Sequence, residues 1–305
     1  MRASGERTGA WTRANLRHLA ALIVQGRNPA AKVYDSIGPD FFLAPAPGWL
    51  NLGLWEGHGT EEEAPQAVRT LVEVVASRLP RGGVVLDVGN GLGLQDPVIA
   101  DVAAPSRLIV LNITESQLRV GREPLATAEA RPVVGDAVRI PMADETVDGV
   151  ISVEAAFHFR SRRAFFEEVR RVLRPGGVLT MSDVSTERLP RSPQELLAGL
   201  TQLRVWGLNL AAAANTEAIA AMASAAGLVD VTVERCGERV IEPALALTRR
   251  RLERRDVPLP ASQRAVIRIL LAQVELLWRR RMIDYLLLRA KKPGSARVGR
   301  FRARY

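Results

Sequence analysis

Asp87 precedes three alternating glycines, Gly89, Gly91 and Gly93, in the stretch Val-Val-Leu-Asp-Val-Gly-Asn-Gly-Leu-Gly at residues 84–93. The apolar run into Asp87 fits a strand buried on both faces of a parallel sheet. The glycines permit a sharp turn and let a ligand lie against bare backbone. A helix starting just beyond would aim its N–H groups at that ligand. Two other readings share these residues. A nicotinamide or flavin site uses G-x-G-x-x-G with an acid about 20 residues downstream, whereas these glycines follow G-x-G-x-G. The other is a glycine-rich strand-to-helix turn that holds no ligand.

The elements that must carry such a site repeat along the chain. Arg107–Leu111 reads as a second strand with Asn112 at its tip, and Pro132–Val134 as a third, followed by Gly135, Asp136 and Ala137. Asp87, Asn112 and Asp136 are 25 and 24 residues apart, one βαβ unit each. Asp148–Val153 is a fourth strand, ending in Glu154-Ala155-Ala156-Phe157-His158. A charged helix, the run Leu173-Arg174-Pro175-Gly176-Gly177 and a fifth strand, Val178–Met181, come next. Leu228–Arg235 and Asp284–Arg289 supply two more strands.

The glycine turn and the Leu-Arg-Pro-Gly-Gly run resemble the class I S-adenosylmethionine (SAM) methyltransferases. The resemblance implies an α/β fold: a Rossmann-like sheet, mostly parallel, of seven strands with the last antiparallel, plus a helical N-terminal cap and helical lid insertions. It implies SAM as cofactor. Asp87 would take the ammonium of the methionine end, Asn112 the ribose hydroxyls and Asp136 the adenine amino group. Tyr34, Gly89, Asn90, Gly91, Gly93, Ile113, Gln117, Gly135, Ala137 and Glu154 would complete the cofactor site.

Composition sets further bounds. At 305 residues and 47% hydrophobic, the chain suffices for one large α/β domain with additions. No run approaches 18 uninterrupted apolar residues, so neither a transmembrane helix nor a membrane partner is expected. Residues 11–24 are apolar but broken by Arg13, Asn15, Arg17 and His18, unlike a signal peptide. Cys236 is the only cysteine, so no internal disulfide can form. A cytoplasmic enzyme is the expectation. The net charge of +9 is uneven: residues 249–305 hold 17 basic and 4 acidic residues, and the remainder is net acidic. Such a stretch can attract nucleic acid or a membrane surface. With no RNA-binding motif beside it, it reads instead as solvated helix faces and a disordered tail, and no nucleic-acid partner is expected. His18, His58 and His158 show no metal-ligand spacing, so no metal is expected.

The expected organisation is an N-terminal helical and aromatic cap (1–60) and a SAM-binding core (61–184). A helical lid segment with a core helix (185–226) follows. C-terminal core strands (227–294) with a helical insertion (243–281) precede a basic tail (295–305). The helices near 190–226 and 243–281 exceed a minimal core. They are expected to cap the strand C-termini, where ligands bind in open α/β sheets, and to shape an acceptor pocket. Arg249–Arg251 and Arg279–Arg281 would lie on the solvated side or at the pocket rim.

Val33-Tyr34-Asp35, then Leu50-Asn51-Leu52-Gly53-Leu54-Trp55, Ser152–Phe159 and Asp284–Gly294 are similar to one methyltransferase branch, the erythromycin-type macrolide O-methyltransferases. The resemblance runs from Tyr34 to Gly294. It implies a small-molecule acceptor: a hydroxyl of a secondary metabolite, on a polyketide, a macrolide or an attached sugar. In that branch a histidine past strand four is the general base, and a carboxylate just past strand five orients it. His158 and Asp183 occupy those places, a base–orienter pair of the kind used for nucleophile activation. The alternatives are C-methylation, cyclisation of a polyketide without methyl transfer and, with less support, RNA methylation. Two residues depart from the pattern. Asn112 replaces the usual acid at the ribose position, and Asn90 replaces the usual Cys or aromatic between the first two glycines. The segment Arg119–Arg131 is also short, which should thin the helix before strand three.

Overall fold

The computed structural model describes residues 43–208, 213–254 and 260–294. Tyr34, with the rest of the expected N-terminal cap up to residue 42, and the tail at 295–305 lie outside the described residues. Strands β1 (Val84–Val88), β2 (Arg107–Asn112), β3 (Arg131–Val134), β4 (Val147–Val153), β5 (Leu173–Thr186), β6 (Val229–Arg235) and β7 (Ile283–Lys291) form one sheet in the order β3-β2-β1-β4-β5-β7-β6. The first five pair in parallel, and β7 runs antiparallel between β5 and β6. Seven strands, mostly parallel and with the last antiparallel, were the expected arrangement.

Alternation along each strand sends neighbouring residues to opposite faces. Val85 in β1 and Tyr285 and Leu287 in β7 join one core, with Leu71, Val72 and Val75 of α1 (Ala64–Ala76) and Ile99 of α2 (Gln95–Ala103). Leu86 of β1 and Leu286 and Leu288 of β7 join the other, with Phe165, Phe166 and Val169. Covering both faces is what a parallel sheet requires, because its strands are apolar on both sides. Each fully buried side chain of this size contributes roughly 1.5–3 kcal/mol.

Two short helices, α3 (Glu115–Val120) and α4 (Arg122–Thr127), lie before β3 and meet at Gly121. They are the thinned helix expected there. After β4 comes a single 3₁₀ turn, Ala156–His158, and then α5 (Arg162–Val172). Ser161 caps α5 by accepting from the Ala164 N–H at 3.1 Å, so the helix starts sharply and fixes Arg162 at its first turn. Helices α6 (Pro193–Val205) and α7 (Thr216–Ala225) follow β5.

The insertion between β6 and β7 holds α8 (Gly237–Glu253) and α9 (Ala261–Arg279). It starts before Pro243, which sits inside α8. Both Arg clusters form ion pairs. Arg249 meets Glu275, Arg251 meets Glu61 at 2.6 Å, and Arg279 approaches Glu275 at 3.9 Å. The expectation of a solvated side or a pocket rim therefore needs correcting at Arg251, whose side chain is mostly covered. Trp55, Ala64 and Ala67 pack on Leu247 of α8, and the Trp55 N–H donates to the Arg239 carbonyl at 2.9 Å. Helix α8 thus clamps the segment that enters the core. Among the described residues, no helix is long and apolar enough to cross a membrane.

Candidate active site

A cavity of about 290 Å³ opens where the tips of β1, β2 and β4 meet the segment 48–51. Its floor is the glycine turn. Gly89 and Gly91 have φ of 83° and 58°, a conformation that costs other residues strain. A Cβ on Gly89 would stand 2.5 Å from the Ala155 Cβ, and one on Gly91 would stand 3.2 Å from Leu50 Cδ1. The bare backbone at both positions is what keeps this cradle open. Gly93, with φ of 83°, faces Gly121 and Pro124 instead and does not line the cavity.

Of the residues expected at a cofactor, Gly89, Asn90, Gly91, Asn112, Ile113, Gln117, Gly135, Asp136, Ala137 and Glu154 all line this cavity, and so does His158. Asp87 does not. It is wholly buried, with Gln95 between it and the space. Gln95 Nε2 donates to Asp87 Oδ2 at 2.5 Å, so direct contact between Asp87 and a ligand gives way to contact through an amide. Burial raises the Asp87 carboxyl to about 6. Asp136 binds locally, accepting from the Val138 N–H at 3.0 Å and facing Arg160 at 3.3 Å.

Asn112 and Asn90 have a joint explanation. Asn112 Nδ2 donates to Asn90 Oδ1 at 3.1 Å, to the Gly91 carbonyl at 3.2 Å and to Gln117 Oε1 at 3.1 Å, while its Oδ1 accepts from the Thr114 N–H at 2.9 Å. A backbone carbonyl only accepts and a backbone N–H only donates, so the orientation of this amide is fixed. Asn90 passes the chain on, its Nδ2 donating to Asp96 Oδ2 at 2.9 Å.

Glu154 stands at the tip of β4 with φ of 48°, an uncommon conformation for a residue with a side chain. Its Oε1 accepts from the Leu52 N–H and from the Tyr285 hydroxyl, each at 2.8 Å. Burial pushes its carboxyl up to about 7 against these donors, which pull the other way. His158 is driven the opposite way, down to about 3, by burial and by the nearby Arg162 charge. A hydrogen bond with the Trp206 backbone opposes this in part.

The expected pairing of His158 with Asp183 must be corrected. Arg162 Nε donates to Asp183 Oδ2 at 2.7 Å and its Nη2 to Oδ1 at 3.2 Å, and the Val184 N–H also takes Oδ1 at 2.9 Å. A permanently charged guanidinium fork matches a carboxylate better than a neutral imidazole does. Both Arg162 and Asp183 are buried, so the pair is shielded from water. Residues 48–51 line the cavity without having been singled out there, although the Leu-Asn-Leu-Gly-Leu-Trp run had marked their neighbourhood. Arg160 and Gln95 were also missed. No residue of α8 or α9 lines the cavity; α8 braces the segment that does. His58 and Trp55 stay outside it. Among the described residues, no group of three or more His, Cys, Asp or Glu side chains is placed to hold a metal ion.

A seven-stranded sheet of this order, with a glycine cradle at the tip of β1 and polar residues at the tips of β2 and β4, is the Rossmann-like fold of the SAM-dependent methyltransferases. Residues 86–181 match the methyltransferase domain family. Over 290 residues the chain is 29% identical to erythromycin 3''-O-methyltransferase of Saccharopolyspora erythraea, covering 89% of this chain and 92% of that one. It is 27% identical to 27-O-demethylrifamycin SV methyltransferase of Amycolatopsis mediterranei, covering 80% and 90% of the two chains. Two solved structures share the fold. The [4+2]-cyclase SpnF has a TM-score of 0.60 at 21% identity, covering 83% of this chain and 90% of that one. Geranyl diphosphate C-methyltransferase of Streptomyces coelicolor A3(2), which holds S-adenosyl-L-homocysteine, has a TM-score of 0.62 at 15% identity, covering 76% and 81%.

Proposed function

We propose that this enzyme methylates a hydroxyl group of a secondary metabolite, on a polyketide, a macrolide or an attached sugar. The observation that carries the reading is the near full-length similarity to a macrolide O-methyltransferase, joined to a histidine on the cavity wall just past β4. SAM supplies an electrophilic sulfonium methyl, so the protein's own work is positioning, water exclusion and handling of one proton. Gly89 and Gly91 form the cradle; Ile113, Gln117, Gly135, Asp136 and Ala137 line the same cavity and would hold the nucleoside. The side chain of Asn112 is spent on Asn90, Gly91, Gln117 and Thr114, so it shapes the ribose subsite rather than filling it.

His158 is a neutral ring at physiological pH; one ring N–H meets the Trp206 backbone, and the buried Nδ1, which makes no hydrogen bond among the described residues, is the nitrogen left to accept from the acceptor hydroxyl. That nitrogen takes the proton from the oxygen once it has attacked the methyl. Held down to about 3, it is a weak base, which suits a step in which proton loss follows attack. One observation favours a second reading, C-methylation or cyclisation without methyl transfer: Arg162 occupies the carboxylate that would have oriented His158. Incubating candidate macrolides and polyketides with SAM and analysing them by mass spectrometry separates the two. O-methylation adds one methyl that is lost on ether cleavage. An acid-stable C-methyl, or a rearranged product of unchanged mass, would overturn the first reading.

A further inference from the structure

Asp87 and Asp96 are both wholly buried, and neither lines the cavity. Each has one oxygen engaged, Asp87 Oδ2 by Gln95 at 2.5 Å and Asp96 Oδ2 by Asn90 at 2.9 Å. The other oxygen of each, Oδ1, is buried with no hydrogen-bond partner among the described residues. The two carboxyl groups lie within hydrogen-bonding reach of one another. Two ionised carboxylates cannot sit together away from water, whereas one shared proton removes the repulsion and satisfies both oxygens. Asp96 is the partner that keeps it. Burial and the charge of Asp87 push the Asp96 carboxyl well above the usual range, and the shorter contact, Gln95 to Asp87 at 2.5 Å against Asn90 to Asp96 at 2.9 Å, places the charge on Asp87.

A pair holding one proton carries a single negative charge, located on Asp87. That charge fixes Gln95. A carboxylate only accepts, so the amide must turn its NH₂ toward Asp87. The Oε1 of Gln95 then has no partner among the described residues, yet it is not one of the buried unsatisfied atoms, and Gln95 lines the cavity. The cavity is therefore offered a carbonyl oxygen backed by a buried anion, an arrangement suited to a cationic N–H donor.

We propose that Gln95 reads the α-amino group at the methionine end of SAM, with Asp87 supplying the charge behind it and Asp96, carrying its proton, as a neutral positioning residue. This rests on the SAM site itself. It differs from direct recognition by the acid before the glycines, because that acid does not reach the cavity. It also gives Asn90 a function: its amide holds Asp96 in place while its own carbonyl is held by Asn112.

The test uses two ligands, S-adenosylhomocysteine and 5′-methylthioadenosine, which shares the adenosine and the sulfur but has no amino-acid end. Binding is measured by calorimetry on the full chain, with circular dichroism checking that each variant is folded. Gln95→Met, and Gln95→Ala if the first fails to fold, should weaken S-adenosylhomocysteine roughly tenfold or more while leaving 5′-methylthioadenosine within about threefold. Asp87→Asn should behave alike. Asp96→Asn should keep both ligands within about threefold of wild type, because an Asn amide donates to Asp87 as the acid proton does and still accepts from Asn90. A merely structural defect would weaken both ligands together. The proposal is overturned if the Gln95 variants bind S-adenosylhomocysteine like wild type, if they lose both ligands equally, or if Asp96→Asn loses as much as Asp87→Asn. Wild type binding neither ligand would instead refute the cofactor site, and this inference with it.

Discussion

Asn112 donates its side-chain amide to Oδ1 of Asn90 at 3.1 Å, and this bond joins the two positions at which the sequence departs from the methyltransferase pattern that it resembles. The two changes answer each other. An acid at position 112 would present an oxygen where Asn90 and Gly91 both present oxygens.

Asn112→Asp should therefore destabilise the protein, although it restores the usual residue. It removes three donor contacts and buries an acceptor against acceptors, for an expected cost of about 1–3 kcal/mol. Urea denaturation measures the loss. In a double-mutant cycle, Asn90→Ala and Asn112→Ala should couple by more than about 0.5 kcal/mol. Strict additivity would show that the two side chains act independently.

The Arg162–Asp183 pair makes an opposite kind of prediction. Asp183→Asn would leave a buried guanidinium without its counter-charge, at a cost of about 3–5 kcal/mol. Replacing both partners, as Arg162→Met with Asp183→Leu, should recover much of that loss, because buried ion pairs are often matched by apolar residues of similar volume. If Asp183→Asn proved stable yet inactive, Asp183 would return to a direct part in the chemistry.

Glu154 sets a stability slope whose sign can be worked out. Its folded value of about 7 lies above its ordinary 4.5, so the native state holds this proton more tightly than the unfolded chain. The native state is therefore favoured at low pH, and it loses that advantage progressively as pH rises from about 4.5 to about 7. Glu154→Gln keeps an acceptor for Leu52 and Tyr285 but cannot titrate. The gap in melting temperature between variant and wild type should widen in the variant's favour across this window and level off above it. His158 pulls the other way, losing stability as pH falls from 6.5 toward 3, but it is common to both proteins and cancels in the difference. A gap that does not change with pH would place the Glu154 carboxyl near its ordinary value.

The sheet was readable along the chain because each strand announces itself locally, by an apolar run ending at a polar tip. Asp87, Asn112 and Asp136 mark βαβ periods, and this periodicity survives folding unchanged. What stayed hidden was contact between distant positions. Nothing near Arg162 indicates that it will reach Asp183, since that depends on where Ser161 starts α5 and how α5 lies against β5. Tyr285 and Glu154 are 131 residues apart and meet only because β7 inserts beside β5. Asp87 was correctly placed at the tip of β1, but its side-chain direction was not. Alternation along β1 turns it toward the α1 and α2 face, where Gln95, the first residue of α2, covers it.

His158→Ala should lower turnover of an identified acceptor by roughly 10²–10⁴, the usual worth of a positioned proton acceptor. S-adenosylhomocysteine affinity should stay near wild type, because the proton that His158 takes comes from the acceptor and not from the cofactor. Near-full turnover in the variant would move the chemistry to proximity alone, or to Glu154 as the proton acceptor.

Arg251 gives the last prediction. Its guanidinium donates to both oxygens of Glu61, at 2.6 and 2.8 Å, and to the carbonyls of Ala44 and Pro45, each at 2.7 Å. One side chain of α8 thus pins both ends of the segment that supplies Trp49, Leu50 and Asn51 to the cavity. Arg251→Met preserves the apolar stem and removes the fork, so packing against the segment is kept while its anchoring is lost. Amide hydrogen exchange should speed up across residues 44–56 but not in β1 or β4, because only local opening becomes easier. S-adenosylhomocysteine should bind several-fold more weakly, since the wall at 48–51 must be ordered on binding at a cost of about 0.5–1.5 kcal/mol for each side chain fixed. Arg251→Lys should recover little, because a single ammonium cannot serve two carbonyls and a carboxylate in a fixed plane. If exchange across 44–56 were unchanged in Arg251→Met, the segment would be held by the Trp55 packing and the Leu52–Glu154 bond alone, and α8 would brace only the sheet.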